Sequence, residues 1–376
     1  MKKRFLSIAL IMAMVTCMCG CSDKKTTTGT NSGPVNVTVN TTVRKTGQYP
    51  ENFEVTFGNV ISADTLNPES FELVGRAGFW GSKETREFKC SFSSVSVKDN
   101  MLTLVPEAFP EKYFYVKEFT VTCKNHPEYG FSSSDVKKII TPVADEFTTI
   151  KNEGSVKFDY HLFSPSVEEN MPIIIVFHGY GDTDNLLTYK TAIEWAEPEN
   201  QKVRPCYVLA PVIGDEIYFD AGSRDKIYAD LKAVLEKMIS EKKVDPDKIY
   251  VMGNSFGGAA TLEFCEKYPE TVSAAMALCP ALTYCPQANG GFEKMKEVPV
   301  WFAHASGDNT IPVSASQKAV AALEKLGAGE VKFTEYTDEQ MNQAGADNAP
   351  DATYSYHHVE LAVMEDDSYQ EWLFSH

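Results

Sequence analysis

The sequence predicts an all-β sandwich followed by a larger α/β domain, in which helices cover both faces of a mainly parallel sheet. Residues 35–142 contain short stretches in which apolar and polar residues alternate, whereas residues 145–376 contain continuous apolar runs separated by helical stretches. Alternation is typical of strands with one solvated face, and continuous runs are typical of parallel strands buried on both faces. A chain of 376 residues is also long enough for two domains.

The first 20 residues have the pattern of an export signal. Three basic residues at positions 2–4 precede an apolar stretch, 5–15, that is too short to span a bilayer. Gly20 and Cys21 follow, and this pair resembles the lipobox of bacterial lipoproteins, in which the cysteine is lipidated and becomes the new N-terminus. Residues 21–34 are polar and predict a flexible tether. We therefore expect an exported protein, lipid-anchored through Cys21 to the outer face of the bacterial cell membrane; an ordinary secretory signal cleaved nearby is the alternative.

The charge of the chain argues against several kinds of partner. It contains 35 Lys and Arg residues against 52 Asp and Glu residues, a formal net charge of −17. Removal of residues 1–20 would take away three positive charges and no negative ones, which leaves −20. Such a body repels nucleic-acid backbones and anionic membrane surfaces, so no nucleic acid is expected and the membrane is reached only through the lipid anchor. The sequence gives no indication of the oligomeric state.

Six cysteines remain beyond the signal and the proposed lipid site. An even number in an exported protein permits disulfides, and Cys90 and Cys123 both fall in the first domain. Buried free thiols are the preferred interpretation, because none of the cysteine spacings forms a tight disulfide framework. No Cys-x-x-Cys pair suggests a metal site, and neither a metal nor a cofactor is expected. The six are Cys90, Cys123, Cys206, Cys265, Cys279 and Cys285.

The first domain is predicted from its short alternating strands. Residues 63–73 resemble the strand-connecting stretch of bacterial immunoglobulin-like modules, which implies an immunoglobulin-like sandwich over residues 35–142. It is interpreted as a spacer, with a glycan-binding module as the alternative, because Trp80, Tyr113 and Tyr115 are able to stack on sugars. The predicted strands lie at residues 35–39, 53–57, 88–92, 95–97, 101–105 and 119–123.

The most informative motif of the second domain is Gly-x-Ser-x-Gly at residues 253–257. An apolar strand leads into it and a helical stretch follows, which is the context that a nucleophile elbow requires. Side chains at Gly253 and Gly257 would collide with the neighbouring strand and helix in so sharp a turn. The turn would expose Ser255 at a helix N-terminus, where the Phe256 N–H faces any oxyanion formed beside it. Ser255 is therefore the predicted nucleophile.

A second apolar strand, residues 173–177, ends in His178-Gly179-Tyr180-Gly181. This sequence resembles the oxyanion loop of esterases and lipases, in which backbone N–H groups point at the developing charge. The resemblance makes the Tyr180 N–H the partner of the Phe256 N–H. The His178 side chain is expected to bond to backbone rather than to take part in the chemistry.

A serine nucleophile needs a general base, and the base needs an acid to orient it. Asp308 follows the predicted strand 300–304 in a Gly-Asp-x-x-Ile-Pro run, which resembles the acid-bearing turn of the α/β-hydrolases; a plain turn former is the alternative. His357 and His358 alone among the histidines lie between the last predicted strand, 331–336, and the terminal helix. One of these two is the expected base.

The end of the chain resembles a group of secreted bacterial carboxylesterases and predicted peptidases, related to polyhydroxybutyrate depolymerases and feruloyl esterases. That group commonly has His-x-x-Trp shortly before a Trp-Leu-Phe helix. Alignment on Trp372-Leu373-Phe374 places His358 at the catalytic position, although Leu361 stands where tryptophan is usual. The resemblance covers residues 145–375 and implies an α/β-hydrolase fold, with an immunoglobulin-like domain ahead of it in some members. The triad that it implies is Ser255, Asp308 and His358.

Together these patterns predict a serine-dependent carboxylic ester hydrolase that acts outside the cytoplasm, on ester groups of polysaccharide-derived or small aromatic or acyl substrates. Loops 214–223, 282–292 and 338–355 are expected to form the pocket. Their composition does not indicate which acyl or alcohol group the substrate carries. A serine peptidase is one alternative, but a prolyl-oligopeptidase type carries a propeller for which the first domain is too short. A non-catalytic glycan-binding protein is the other, and it would not need to retain the three catalytic residue types.

Overall fold

The computed structural model describes residues 33–79, 85–107, 114–184, 186–284, 292–346 and 356–376. The predicted signal, Cys21 and most of the tether lie outside these ranges, as do Trp80, Tyr113, Cys285 and parts of two predicted pocket loops; of Tyr115 only the backbone is described. Within the described ranges, no helix has both the length and the apolar character needed to cross a bilayer.

The N-terminal part forms two β-sheets with a shared hydrophobic core. One sheet has the order β5-β6-β2-β1-β9 and the other β4-β3-β7-β8, and the neighbouring pairs are antiparallel except for β1 with β9. Phe53 and Leu104 from the first sheet pack in the same cluster as Leu73 and Val121 from the second. The strands are β1 Asn36–Arg44, β2 Gly47–Thr56, β3 Phe71–Phe79, β4 Thr85–Cys90, β5 Phe92–Lys98, β6 Met101–Pro106, β7 Phe114–Cys123, β8 Phe131–Ser132 and β9 Val136–Ile140.

Strand β3 differs from the sequence-based expectation, which assigned its start to a connecting segment. It lies between β4 and β7 and buries Phe71, Leu73 and Ala77. Gly75 interrupts the apolar alternation in the sequence, but a Cβ there would come within 2.5 Å of the Phe88 ring. The glycine is therefore a packing requirement of the strand rather than a turn signal.

The second part contains one eight-stranded sheet in the order β10-β11-β13-β12-β14-β15-β16-β17. Six neighbouring strands of this sheet are parallel, as predicted, namely β13, β12, β14, β15, β16 and β17. Strands β10 and β11 add an antiparallel edge that was not predicted. The strands are β10 Thr148–Asn152, β11 Phe158–Phe163, β12 Met171–Phe177, β13 Tyr207–Val212, β14 Val244–Asn254, β15 Ala274–Leu278, β16 Val300–Ala305 and β17 Val331–Tyr336.

Helices cover both faces of this sheet, so its strands are continuous apolar runs. Ile173 and Ile175 face a cluster that includes residues of α4, α5 and α6, whereas Ile174 and Val176 face one that includes residues of α1, α8 and α9. The helices are α1 Lys190–Ala196, α2 Pro198–Val203, α3 Asp215–Tyr218, α4 Ala221–Ser240, α5 Phe256–Lys267, α6 Ser314–Lys325, α7 Asp338–Gln343, α8 Glu360–Val363 and α9 Asp367–Leu373.

The β1–β2 hairpin of the N-terminal part contacts the second part directly. Val43 is 6% exposed and packs in the cluster that contains α1 and α9, and Lys45 forms an ion pair with Glu365. Burial of an apolar side chain from one part in the core of the other stabilises their association.

The cysteines of the described ranges are free and buried, namely Cys90, Cys123, Cys206, Cys265 and Cys279. Cys90 and Cys123 lie on β4 and β7, on opposite sides of β3. Two strand spacings separate them by about 10 Å, which is beyond the reach of a disulfide. The free-thiol interpretation therefore holds for this pair.

Candidate active site

Ser255 lies between β14 and α5 in a strained backbone conformation. Its φ is 57° and its ψ is −119°, a region that non-glycine residues rarely adopt. Hydrogen bonds hold it there: its N–H donates to the Leu278 carbonyl oxygen at 2.9 Å, and its carbonyl oxygen accepts from the Ala281 N–H at 2.8 Å. The predicted strand, turn and helix around Ser255 are thus present, with neighbouring strand β15 and the segment after it fixing the turn.

The two glycines of the motif have the roles that the sequence predicts. A Cβ at Gly253 would lie 2.5 Å from the Gly257 carbonyl carbon, and one at Gly257 would overlap the Phe177 carbonyl oxygen. The elbow is therefore packed directly against the end of β12, where the predicted oxyanion loop begins.

The first residue of that loop, His178, is buried and bonded to backbone through both ring nitrogens. Its Nδ1 donates to the Gly179 carbonyl oxygen at 2.7 Å, and its Nε2 accepts from the Ile213 N–H at 2.9 Å. Burial lowers the pKa of His178 to about 4, so the ring is neutral above that pH and Nε2 remains an acceptor. Because the Gly179 carbonyl and the Tyr180 N–H belong to one peptide plane, the ring helps to orient that N–H.

The two predicted oxyanion donors belong to adjacent segments. The rings of Tyr180 and Phe256 lie 6.0 Å apart, and Gly179 lies against Asn254, the residue before the nucleophile. Phe256 is the first residue of α5, so its N–H has no acceptor within the helix. This arrangement is compatible with Tyr180 and Phe256 as donors, and their role remains a prediction.

Asp308 lies in the loop after β16 and accepts a hydrogen bond from His357. His357 Nδ1 lies 2.7 Å from Asp308 Oδ2, while Asp308 Oδ1 accepts from the N–H groups of Thr310 and Ile311. Burial alone would raise the pKa of Asp308, but hydrogen bonds from His304 and His357 outweigh it and hold the pKa well below its usual value. Asp308 is therefore a buried carboxylate that orients an imidazole.

The structure corrects the choice between the two adjacent histidines. His357, not His358, contacts Asp308; His358 Nδ1 instead donates to Glu360 Oε1 at 2.8 Å. The alignment on the terminal helix was wrong by one residue because it assumed a fixed spacing between the histidine and that helix. Leu361, which departs from the usual tryptophan, is buried in the short helix α8 that intervenes.

Sequence reasoning missed a second histidine on the acid. His304 is fully buried at the end of β16, and its Nε2 lies 3.1 Å from Asp308 Oδ2 and 3.0 Å from the Ile311 carbonyl oxygen. Both of these partners are acceptors, so Nε2 carries the proton and Nδ1 accepts from the Ser316 hydroxyl at 2.8 Å. Its position at the end of a strand, four residues before the predicted acid, was the available signal.

Cys279 also lies against Asp308 and His357. The Cys279 sulfur and ligand atoms of Asp308 and His357 lie within 4.8 Å of one another, and Sγ donates to the His357 carbonyl oxygen at 3.2 Å. Burial, with a further contribution from the charges of Asp308 and Glu360, raises the pKa of the Cys279 thiol well above its usual value. The thiol donor therefore helps to hold the backbone of His357 in place.

A cavity beside the oxyanion loop contains a buried acid, Asp182, and a partly buried one, Glu360, that the sequence did not reveal. Lys45, Asp182, Asn254, His358 and Glu360 contribute to its lining. Within the described part of the chain, Asp182 Oδ1 and Glu360 Oε2 are buried without a hydrogen-bond partner. Burial and the charge of Glu360 raise the pKa of Asp182 well above its usual value, which favours its protonated form.

Three exposed aromatic side chains surround Phe256 and are called the aromatic rim. Tyr180, Phe219 and Tyr284 are 50%, 61% and 55% exposed. Their ring centroids lie 6.0, 5.1 and 5.9 Å from that of Phe256, the residue that follows Ser255. Two of the three belong to loops that the sequence assigned to the pocket. Tyr218, from the same loops, is instead fully buried, and Tyr354 lies outside the described residues.

Comparisons with known proteins agree with this architecture. The chain is similar to a thermostable esterase of known structure, with a TM-score of 0.67 and 23% identity, over 91% of this chain and 99% of the other. The chain has the α/β-hydrolase fold. Because the likeness covers 91% of the chain, it extends to strands of the N-terminal part as well.

The sequence comparisons concern a shorter region. Residues 215–346 match the family described as Phospholipase/Carboxylesterase, a span that contains Ser255 and Asp308 but ends before His357. Two relatives from Arabidopsis thaliana, a probable carboxylesterase SOBER1-like protein and carboxylesterase SOBER1, are 28% identical over 109 residues and 27% identical over 96 residues. These matches cover 29% and 25% of this chain, and only 41% and 42% of the relatives.

Proposed function

We propose that this protein is a serine-dependent carboxylic ester hydrolase. The observation that carries the proposal is the strained elbow serine, Ser255, on the same edge of the sheet as the buried pair of Asp308 and His357. The carboxyl ends of parallel strands meet at this edge, which is where open α/β sheets bind their ligands. The Phospholipase/Carboxylesterase match and the carboxylesterase names of the two relatives support the same activity.

In the proposed mechanism, His357 Nε2 takes the proton from the Ser255 hydroxyl as the oxygen attacks the ester carbonyl carbon. Asp308 holds His357 in the tautomer with Nδ1 protonated and stabilises the imidazolium that forms. The N–H groups of Tyr180 and Phe256 stabilise the oxyanion, and loss of one such donor costs about 3 kcal/mol. His357 then protonates the leaving alcohol, and a water activated by the same base hydrolyses the acyl-enzyme.

The aromatic rim supports a substrate with a planar or ring-shaped group next to the ester. Exposed aromatic side chains at the mouth of a site offer flat apolar surfaces on which aromatic rings and the faces of sugars can pack. We therefore propose polysaccharide-derived or small aromatic esters as substrates, with short acyl esters as permissive ones. We also propose that the enzyme acts outside the cytoplasm, that Cys21 anchors it through lipid, and that the N-terminal sheets form an immunoglobulin-like module that spaces the enzyme from the membrane.

Ser255→Ala in the full chain tests the proposed activity. The variant should lose turnover of nitrophenyl esters and labelling by a fluorophosphonate probe, because both require the hydroxyl. Ser240→Ala is the matched control, since this serine caps the end of α4 through the Lys237 carbonyl. A panel of nitrophenyl esters of rising chain length, feruloyl esters, acetylated xylan and peptide anilides would define the substrate. Undiminished labelling of the Ser255 variant contradicts the assignment, and faster cleavage of the anilides than of any ester contradicts the class.

A further inference from the structure

The short helix α3 contacts the oxyanion loop on both sides of Tyr180. The Tyr218 hydroxyl donates to the His178 carbonyl oxygen at 2.5 Å, and Asp215 Oδ1 accepts from the Gly181 N–H at 2.8 Å. The two contacted residues flank the Gly179–Tyr180 peptide, whose N–H is the proposed oxyanion donor. A loop held at both of these points has little freedom to turn that N–H away.

Helix α3 is in turn tied to the helix that carries the nucleophile. Arg224 Nη1 donates to the Tyr218 carbonyl oxygen at 2.5 Å. The same guanidinium forms a bidentate pair with Glu263 of α5, with Nε and Nη2 at 2.8 and 2.9 Å from its carboxylate oxygens. Arg224 is 4% exposed, so these bonds are shielded from water. The ring of Tyr218 also lies 5.2 Å from that of Phe256.

These contacts form a closed path between the two proposed oxyanion donors. Phe256 and Glu263 both belong to α5, and from Glu263 the path runs through Arg224 and Tyr218 to the loop that carries Tyr180. A buried ion pair adds little net stability compared with apolar packing, but its bidentate geometry fixes the relative position of the groups that it joins.

We propose that Tyr218, fixed by the Arg224–Glu263 pair, is a positioning residue that sets the distance between the two oxyanion-hole N–H groups. This inference rests on the proposed esterase function. Tyr218 does not touch the reacting atoms; it acts through the His178 carbonyl. Electrostatic stabilisation of an oxyanion depends on donors that are placed before the charge develops, so displacement of one donor weakens the transition state more than the bound ester.

Tyr218→Phe tests this proposal because it removes one hydroxyl and keeps the ring that packs on Phe256. We expect kcat for a nitrophenyl ester to fall about 10-fold to 100-fold with KM within about twofold, because complete loss of one donor costs about 10²-fold to 10³-fold. Affinity for a boronic acid that forms a tetrahedral adduct with Ser255 should fall by a similar factor. Tyr207→Phe is the matched control, since its buried hydroxyl also donates to a backbone carbonyl, that of Glu168, away from the site.

Amide hydrogen exchange of the loop provides a readout that does not depend on turnover. Tyr218→Phe should speed exchange in a peptide covering residues 178–182, and Tyr207→Phe should not. If the wild-type protein hydrolyses no ester, the proposed function fails while exchange still decides whether Tyr218 holds the loop. Unchanged amide exchange in Tyr218→Phe overturns the proposal. So does a Tyr218→Phe variant that keeps the wild-type kcat and boronate affinity. An equal loss of kcat in Tyr207→Phe overturns it as well.

Discussion

The adjacent histidines His357 and His358 can be separated by substituting each with alanine and measuring activity and stability together. Each ring donates a hydrogen bond to a carboxylate, His357 to the buried Asp308 at 2.7 Å and His358 to the partly buried Glu360 at 2.8 Å. Loss of one hydrogen bond to a charged group costs about 1.5–3 kcal/mol. Both substitutions should therefore lower the free energy of unfolding by similar amounts.

Activity should distinguish the two variants sharply. His357→Ala removes the proposed general base of a triad whose members act together, and kcat should fall about 10³-fold to 10⁶-fold, equivalent to about 4–8 kcal/mol of transition-state stabilisation. His358 contacts Glu360 rather than Asp308, so His358→Ala should lower kcat by no more than about 10-fold, through a change in the packing beside the oxyanion loop.

The assay combines nitrophenyl ester kinetics with urea unfolding of the same full-length preparations. Unfolding establishes the folded fraction, so that kcat refers to folded enzyme in each case. A larger loss of kcat in His358→Ala than in His357→Ala would refute the assignment of His357, and equal losses per folded enzyme would contradict a base role specific to His357.

Three further predictions concern the acid, the oxyanion loop and the anchor. Asp308→Asn should keep the shape of the acid but lower kcat by about 10⁴-fold in ester kinetics, because the amide does not stabilise the imidazolium; wild-type kcat would contradict its role. The pKa of His178 falls from 6.5 to about 4 on folding, so the unfolded chain gains a proton first as pH falls. The contribution of neutral His178 to the free energy of unfolding should therefore be fully present above pH 6.5. Urea titrations should show that the free energy of unfolding falls by about 3 kcal/mol as the pH is lowered toward 4, and His178→Gln should not show this loss. Cys21→Ser should release the protein from membranes of a bacterial host, because a polar tether has no affinity for lipid; equal membrane recovery would contradict lipidation.

The sequence was sufficient wherever the physical constraint is local. The turn at Ser255 needs glycines on both sides within five residues, and those glycines are visible in the sequence. Likewise, a strand covered on both faces must be apolar throughout, so 173–177 was recognisable as a buried parallel strand. Asp308 was recognisable as a candidate acid because it lies in the loop after such a strand, β16.

The sequence was insufficient wherever the constraint joins distant segments. Asp182 has no sequence signal that links it to Glu360, which lies 178 residues later, and only the fold places both in one cavity. The antiparallel edge strands β10 and β11 are short and partly solvated, which hides them from a search for continuous apolar runs. The choice of histidine depended on spacing to the terminal helix, and that spacing is set by how the segment from Glu360 to Asp366 packs.

The correction at the histidines also changes how the surroundings of the oxyanion loop are understood. The ring of His357 contacts Asp308, the proposed acid, and the ring of His358 contacts Glu360, which shares a cavity with Asp182. Asp182 lies beside Gly179, where even a Cβ would come within 3.1 Å of its carboxylate. The loop is thus bounded by α3 on one side and by the acids of this cavity on the other. Helix α3 and the cavity acids both act on the position of backbone N–H groups. Loss of either support should therefore lower kcat far less than loss of His357, and this difference in kcat would separate positioning from base catalysis.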